Sequence, residues 1–239
     1  MLQTDAMHID RRTLLLGAMA TAVAACSSGG KQSSGVAPIG TVGLGAANAV
    51  APANNPPKNK VPGSLAMVGD SITALSQVAL EAVLKQMGFA TITVNAEPSR
   101  RIGVGSKKPM AGLPVITFIE ASTPPDMWVV ALGTNDAGLY ANDSDYQALI
   151  DDVLKVIPAG DPLVWVSTYR HDQLKGCEQF NLLMRSSLRA RGKATVAEWY
   201  QTVTKSKESI LTQDGVHPNS DGILVFADTV RAAIATQLN

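Results

Sequence analysis

The chain is poor in the residue types that build cross-linked, metal-holding or nucleic-acid-binding proteins. It has two cysteines, Cys26 and Cys177, and neither belongs to a Cys-x-x-Cys pair or a Cys/His cluster. No zinc site can be read from that pattern. There are three histidines, and with His8 close to the N-terminus only His171 and His217 can serve imidazole chemistry further along. Twenty Lys and Arg balance twenty Asp and Glu, for a formal net charge of zero. That balance lacks the basic footprint of a nucleic-acid binder. Long apolar runs are missing as well: the stretch Thr13 to Ala25 falls short of the about 20 residues that a membrane span needs.

Three regions differ in composition. Residues 1–25 read as an export signal, with Arg11-Arg12 before a short apolar core that ends in small residues. Val23-Ala24-Ala25-Cys26 resembles the lipobox of bacterial lipoproteins, in which the cysteine is lipidated and becomes the new N-terminus. The paired arginines loosely resemble a twin-arginine signal. An ordinary cleaved signal ending near a cysteine is the alternative. Residues 26–60 are rich in Gly, Ser, Ala, Asn and Pro and show no sustained period, as a linker does. As a flexible coil this segment would reach about 30 Å. These features lead to the expectation of an exported protein, tethered by lipid on Cys26 to the outer face of a membrane. Once the leader is removed, Cys177 has no intramolecular partner and is read as a small buried apolar residue.

Residues 61–239 alternate between strand-like and helical patterns. Leu65–Val68 is an apolar run, and Leu75, Val78, Ala79, Ala82 and Val83 follow at helical spacing. Thr91–Val94 is β-branched, a shorter helix is expected over Leu113–Ala121, and Met127–Leu132 is apolar throughout. Tyr146, Ile150, Val153 and Ile157 share a helix face. Leu163–Val166 and Thr195–Trp199 read as further strands, each followed by helical spacing, the last helix starting near Ser220. Continuous apolar strands between amphipathic helices imply a parallel sheet covered on both faces. The expected fold is a three-layer α/β/α, flavodoxin-like domain with five parallel strands in the order 2-1-3-4-5.

In that topology four stretches reach the carboxyl edge of the sheet. Gly69-Asp70-Ser71-Ile72 follows the first strand, and Ser99-Arg100-Arg101 lies after the second. Gly133-Thr134-Asn135-Asp136 follows the third, and Asp214-Gly215-Val216-His217-Pro218 leads into the last helix. Alone, each is an ordinary turn or N-cap sequence. Together they bring Ser, Asn, Asp and His to one rim. A serine hydroxyl needs a base within hydrogen-bond reach, usually a histidine oriented by a third group. Asp214 and His217 are spaced to share one side of a helical turn. Ser71 N–H would lie at a helix N-terminus, where an oxyanion is favoured. The α/β-hydrolase elbow Gly-x-Ser-x-Gly is excluded, because Ser71 is followed by Ile72 and Thr73.

In this order the blocks resemble those of the SGNH, or GDSL, hydrolase family, over residues 64 to 225. The resemblance implies Ser71 as nucleophile, His217 as general base and Asp214 as its orienting group. It implies an oxyanion hole of Ser71 N–H, the Asn135 amide and a second-block N–H. The family's second block supplies that N–H from a glycine, and here Ser99 stands in its place, with Gly103 and Gly105 as alternative registers. Of the basic residues nearby, Arg100 or Arg101 could contact an anionic or hydroxyl-rich substrate at the rim, and Arg100 is taken as the candidate. His171 is read as a surface residue. The expected activity is hydrolysis of an ester, a small acyl group on a carbohydrate or cell-envelope substrate. An O-acyltransferase would use the same acyl-enzyme, and a binding lipoprotein would keep only the scaffold. No metal or cofactor is implied, no nucleic acid is expected as partner, and a monomer suffices.

Overall fold

The computed structural model describes residues 60–105 and 110–239. The expected export signal, nearly all of the linker, Cys26, Lys107 and Lys108 lie outside the described residues. Five parallel strands form one sheet: β1 (Ser64–Gly69), β2 (Thr91–Ala96), β3 (Trp128–Ala131), β4 (Leu163–Val166) and β5 (Ala194–Ala197). Their order is β2-β1-β3-β4-β5, as the alternating pattern predicts. The α/β fold is therefore the three-layer one expected from the sequence.

Helices cover both faces. α1 (Ser71–Met87), α5 (Trp199–Lys205) and α6 (Ser220–Gln237) pack on one side, with Leu65 and Met67 of β1 facing them. α2 (Gly112–Ser122), α3 (Asp143–Val156) and α4 (Leu174–Arg191) cover the other, against Ala66 and Val68. Side chains alternate across a strand, so a strand buried on both faces must be apolar at every position. β3 meets that demand: Trp128, Val129 and Val130 are fully buried. Each such side chain stabilises the fold by roughly 1.5–3 kcal/mol relative to exposure. Cys177 is buried on α4 with a free thiol, and burial pushes its pKa up to about 11.

The fifth strand differs from expectation. The chain leaves the sheet at Ala197, and Trp199 opens α5 instead of closing the strand. Trp199 is buried edge-on against Phe226 of α6, with ring centroids 5.1 Å apart. A helix of two turns shows too little period to be read from sequence, and its apolar first residue looks like a strand end.

Candidate active site

The end of β1 turns directly into α1. A Cβ on Gly69 would lie 2.1 Å from Thr73 Oγ1, so only glycine permits that close turn. Asp70 caps the helix, its Oδ1 accepting from Ile72 N–H at 3.0 Å. Ser71 is the first helical residue, half-buried, with a backbone N–H that has no partner within the helix.

His217 reaches Ser71 from the other side of the rim. Its Nε2 is 2.9 Å from Ser71 Oγ, and its Nδ1 is 2.6 Å from Asp214 Oδ2. The other carboxylate oxygen, Oδ1, accepts from Val216 N–H at 2.9 Å, His217 N–H at 3.0 Å and Thr212 Oγ1 at 2.7 Å. Partial burial works against the charge of Asp214. The bonds from the His217 ring and backbone, Thr212 and Val216 outweigh it and hold the carboxyl well below the usual range. An ionised, acceptor-only carboxylate requires Nδ1 to carry a proton, which leaves the Nε2 lone pair facing the serine hydroxyl. The spacing of Asp214 and His217 suggested a helical turn. They lie instead in an irregular turn that the carboxylate itself closes. His171 braces this turn through its N–H to Gly215 O at 3.0 Å. Its ring is exposed and pairs with Glu208.

Asn135 enters from the loop after β3. Gly133 has φ +119, and a Cβ there would sit 2.6 Å from a Phe180 ring carbon, so the loop can turn sharply only with glycine. Asn135 Nδ2 donates to Arg100 O at 3.2 Å and lies 3.5 Å from Asp70 Oδ2. The amide is thereby held beside the residue that precedes Ser71. Ser99, on the loop after β2, has φ +61. This left-handed conformation is the one that favours glycine, and Gly103 does not adopt it. Of Ser99, Gly103 and Gly105, only Ser99 takes this conformation.

The expectation for Arg100 is corrected. Its side chain is 1% exposed and its guanidinium is spent on the protein, donating to Gly69 O, Asn95 O, Asn95 Oδ1 and Met110 O. Four of its five N–H groups are bonded and the side chain is buried away from a substrate. Arg101 is the partly exposed one. Its Nε donates to Asp136 Oδ1 at 3.3 Å and its Nη2 to Tyr140 Oη at 2.6 Å.

Two buried carboxylates behind the rim escaped the sequence reading. Burial pushes the Asp70 carboxyl up to about 6, against the opposing bonds from Ile72 N–H and the Thr134 hydroxyl and the nearby His217. Asp136 is fully buried, and its Oδ2 accepts from Ile102 N–H at 3.0 Å. Burial raises its pKa too, opposed by that bond and by Arg101. The sequence signal is an acidic residue inside each of two short motifs, which N-cap preference at Asp70 and turn preference at Gly133–Asp136 also account for. Among the described residues, no group of three or more His, Cys, Asp or Glu could hold a metal ion. Two clefts, of about 720 and 670 Å³, lie beside β5 and between α3 and α4, and Ser71 and His217 line neither. Ser71 is half-buried, and His217 and Asp214 are partly exposed.

No family model matches the chain, and no curated protein sequence matches it. Solved structures do. The C-terminal catalytic domain of peptidoglycan O-acetyltransferase A from Streptococcus pneumoniae is similar, with a TM-score of 0.59 and 22% identity, over 74% of this chain and 96% of that one. The lipase/acylhydrolase from Enterococcus faecalis has a TM-score of 0.60 and 16% identity, over 72% of this chain and 96% of that one. A family 3 carbohydrate esterase from Clostridium thermocellum has a TM-score of 0.54 and 15% identity, over 73% and 96%. The fold is thus one shared with esterases, an acylhydrolase and an acetyltransferase.

Proposed function

We propose that the chain is a serine esterase that removes a small acyl group from a carbohydrate or cell-envelope substrate. The observation that carries this reading is the continuous chain Asp214–His217–Ser71, with contacts of 2.6 and 2.9 Å, ending at a helix N-terminus. His217 Nε2 takes the Ser71 proton as Oγ attacks the ester carbonyl. The tetrahedral oxyanion receives hydrogen bonds from Ser71 N–H, the Asn135 amide and Ser99 N–H. His217 then protonates the leaving alcohol, and water hydrolyses the acyl-enzyme. Asp214 holds the imidazole in the required tautomer and stabilises the imidazolium. The partial exposure of His217 and Asp214 suits an ester displayed on a large glycan. The test is release of p-nitrophenol from p-nitrophenyl acetate by the full chain and by Ser71→Ala. Turnover should vanish in the variant, and equal rates in both would refute the assignment.

A second reading, transfer of the acyl group to a sugar hydroxyl, draws support from the likeness to an O-acetyltransferase catalytic domain. Partition of the acyl group between water and an added glycan separates the two. We also propose that the chain is exported and lipid-anchored through Cys26. Cys26→Ala should move it from the membrane fraction to the soluble one.

A further inference from the structure

We propose that Arg100 is a positioning residue that sets the oxyanion hole by tying together the three loops that carry its donors. The inference rests on the acyl-enzyme reading above. Burying a guanidinium is costly unless its N–H groups find acceptors, and four of the five do here. Here the nearest carboxylate is Glu97, at 3.6 Å and about half exposed. The partners are instead carbonyl oxygens on three segments. Nη1 donates to Gly69 O at 3.1 Å, two residues before Ser71, and to Asn95 O at 2.7 Å near the end of β2. Nη2 donates to Asn95 Oδ1 at 2.9 Å, and Nε to Met110 O at 3.1 Å where the second loop returns.

The backbone of the same residue completes the tie. Arg100 O accepts the Asn135 amide at 3.2 Å, and Ser99, the residue before it, carries the left-handed φ. One residue is therefore bonded to the first and third loops and contiguous with the donor of the second. A residue that only filled space would be apolar, since buried charges are often replaced by apolar groups without loss of stability. A lysine would not serve equally. Its ammonium is a point charge with three donors, whereas the planar guanidinium reaches several acceptors at once in fixed directions.

The test uses the full chain with Arg100→Lys, Arg100→Met and Asn95→Ala. The last removes one acceptor and leaves the cation in place. Competent sites are counted by covalent labelling of Ser71 with a fluorophosphonate taken to completion, so misfolded material drops out. The kcat per labelled site should fall about 100-fold in Arg100→Met, the scale of a lost oxyanion donor, with KM changed less than about threefold. Affinity for a trifluoromethyl ketone, which adds to the serine and places an oxyanion in the hole, should fall in parallel with kcat/KM. Arg100→Lys and Asn95→Ala should show smaller losses in the same direction. A kcat per labelled site within about threefold of the unmodified chain in the variants that fold, whatever their melting temperature, would overturn the proposal. So would a raised KM with kcat unchanged. If Arg100→Met does not fold, the other two variants decide by the same criterion. Absence of Ser71-dependent turnover and labelling in the unmodified chain would overturn the esterase reading itself, and this inference with it.

Discussion

Replacing Asp214 by Asn should harm the proposed esterase activity more than replacing it by Ala, although Asn is the closer match in shape. The reason lies in how the carboxylate is shared. Oδ1 accepts from two backbone N–H groups, of Val216 and His217, and from the Thr212 hydroxyl. An asparagine must keep its carbonyl oxygen there, because the reverse orientation would set its NH₂ against both backbone donors. Its NH₂ then takes the place of Oδ2, 2.6 Å from His217 Nδ1. That nitrogen is forced to accept, the proton moves to Nε2, and Ser71 loses its base. In the alanine variant the ring is merely unrestrained. There the loss is one charge-assisted hydrogen bond, about 1.5–3 kcal/mol, or roughly 10- to 150-fold in rate. Asp214 is half exposed, so water can replace part of that bond and the low end is expected. Restoring the working tautomer in the asparagine variant opposes two N–H groups and costs about another 1–3 kcal/mol, a further 5- to 150-fold or so. The assay is the acylation burst with p-nitrophenyl acetate, normalised to labelled Ser71. An asparagine variant as fast as the alanine variant, or both within threefold of the unmodified chain, would refute the reasoning.

Two other outcomes follow from the backbone and the buried acid. Asp70 has a folded pKa near 6, above its ordinary 3.8, so between those values the folded chain binds more protons than the unfolded one. By linkage its contribution to stability falls as pH rises through that window, by about 3 kcal/mol in all. The melting temperature of the unmodified chain, measured relative to Asp70→Asn, should therefore drop between pH 4 and pH 6.5. A difference that does not change with pH would mean that Asp70 titrates normally. At Ser99, a β-branched residue cannot hold φ +61 without strain, whereas glycine can. Ser99→Val should lower kcat by about tenfold or more and Ser99→Gly should retain it, and equal activity in both would remove Ser99 N–H from the oxyanion hole.

The parts of this molecule that could be read from sequence are those whose signal is local. β3 and β4 announce themselves as short apolar runs because each is buried on both faces. α3 and α6 show their buried stripes at helical spacing. Ser71, Asn135, Asp214 and His217 stand in short motifs that chain order alone brings to one sheet edge. What could not be read depends on contacts between distant segments or on backbone torsion. Arg100 and Arg101 are adjacent and chemically alike, yet one is buried and the other lies partly open. The left-handed turn at Ser99 precedes both and fixes which guanidinium points inward, and a positive φ at a serine leaves no mark in the sequence. The contact of Asn135 with Asp70 spans 65 residues and is equally silent.

The left-handed turn at Ser99 and the burial of Arg100 belong to one physical problem. A non-glycine residue in the left-handed region costs about 1–2 kcal/mol. Four hydrogen bonds from the neighbouring guanidinium and one to its carbonyl offset a cost of that size, since bonds involving a charged group contribute about 1.5–3 kcal/mol each. Serine can therefore occupy a left-handed position because the residue after it over-determines the loop. By the same argument, Ser99→Gly should be stabilising while Arg100 holds the loop in the left-handed turn, and should lose that advantage once Arg100 is replaced and the loop can relax.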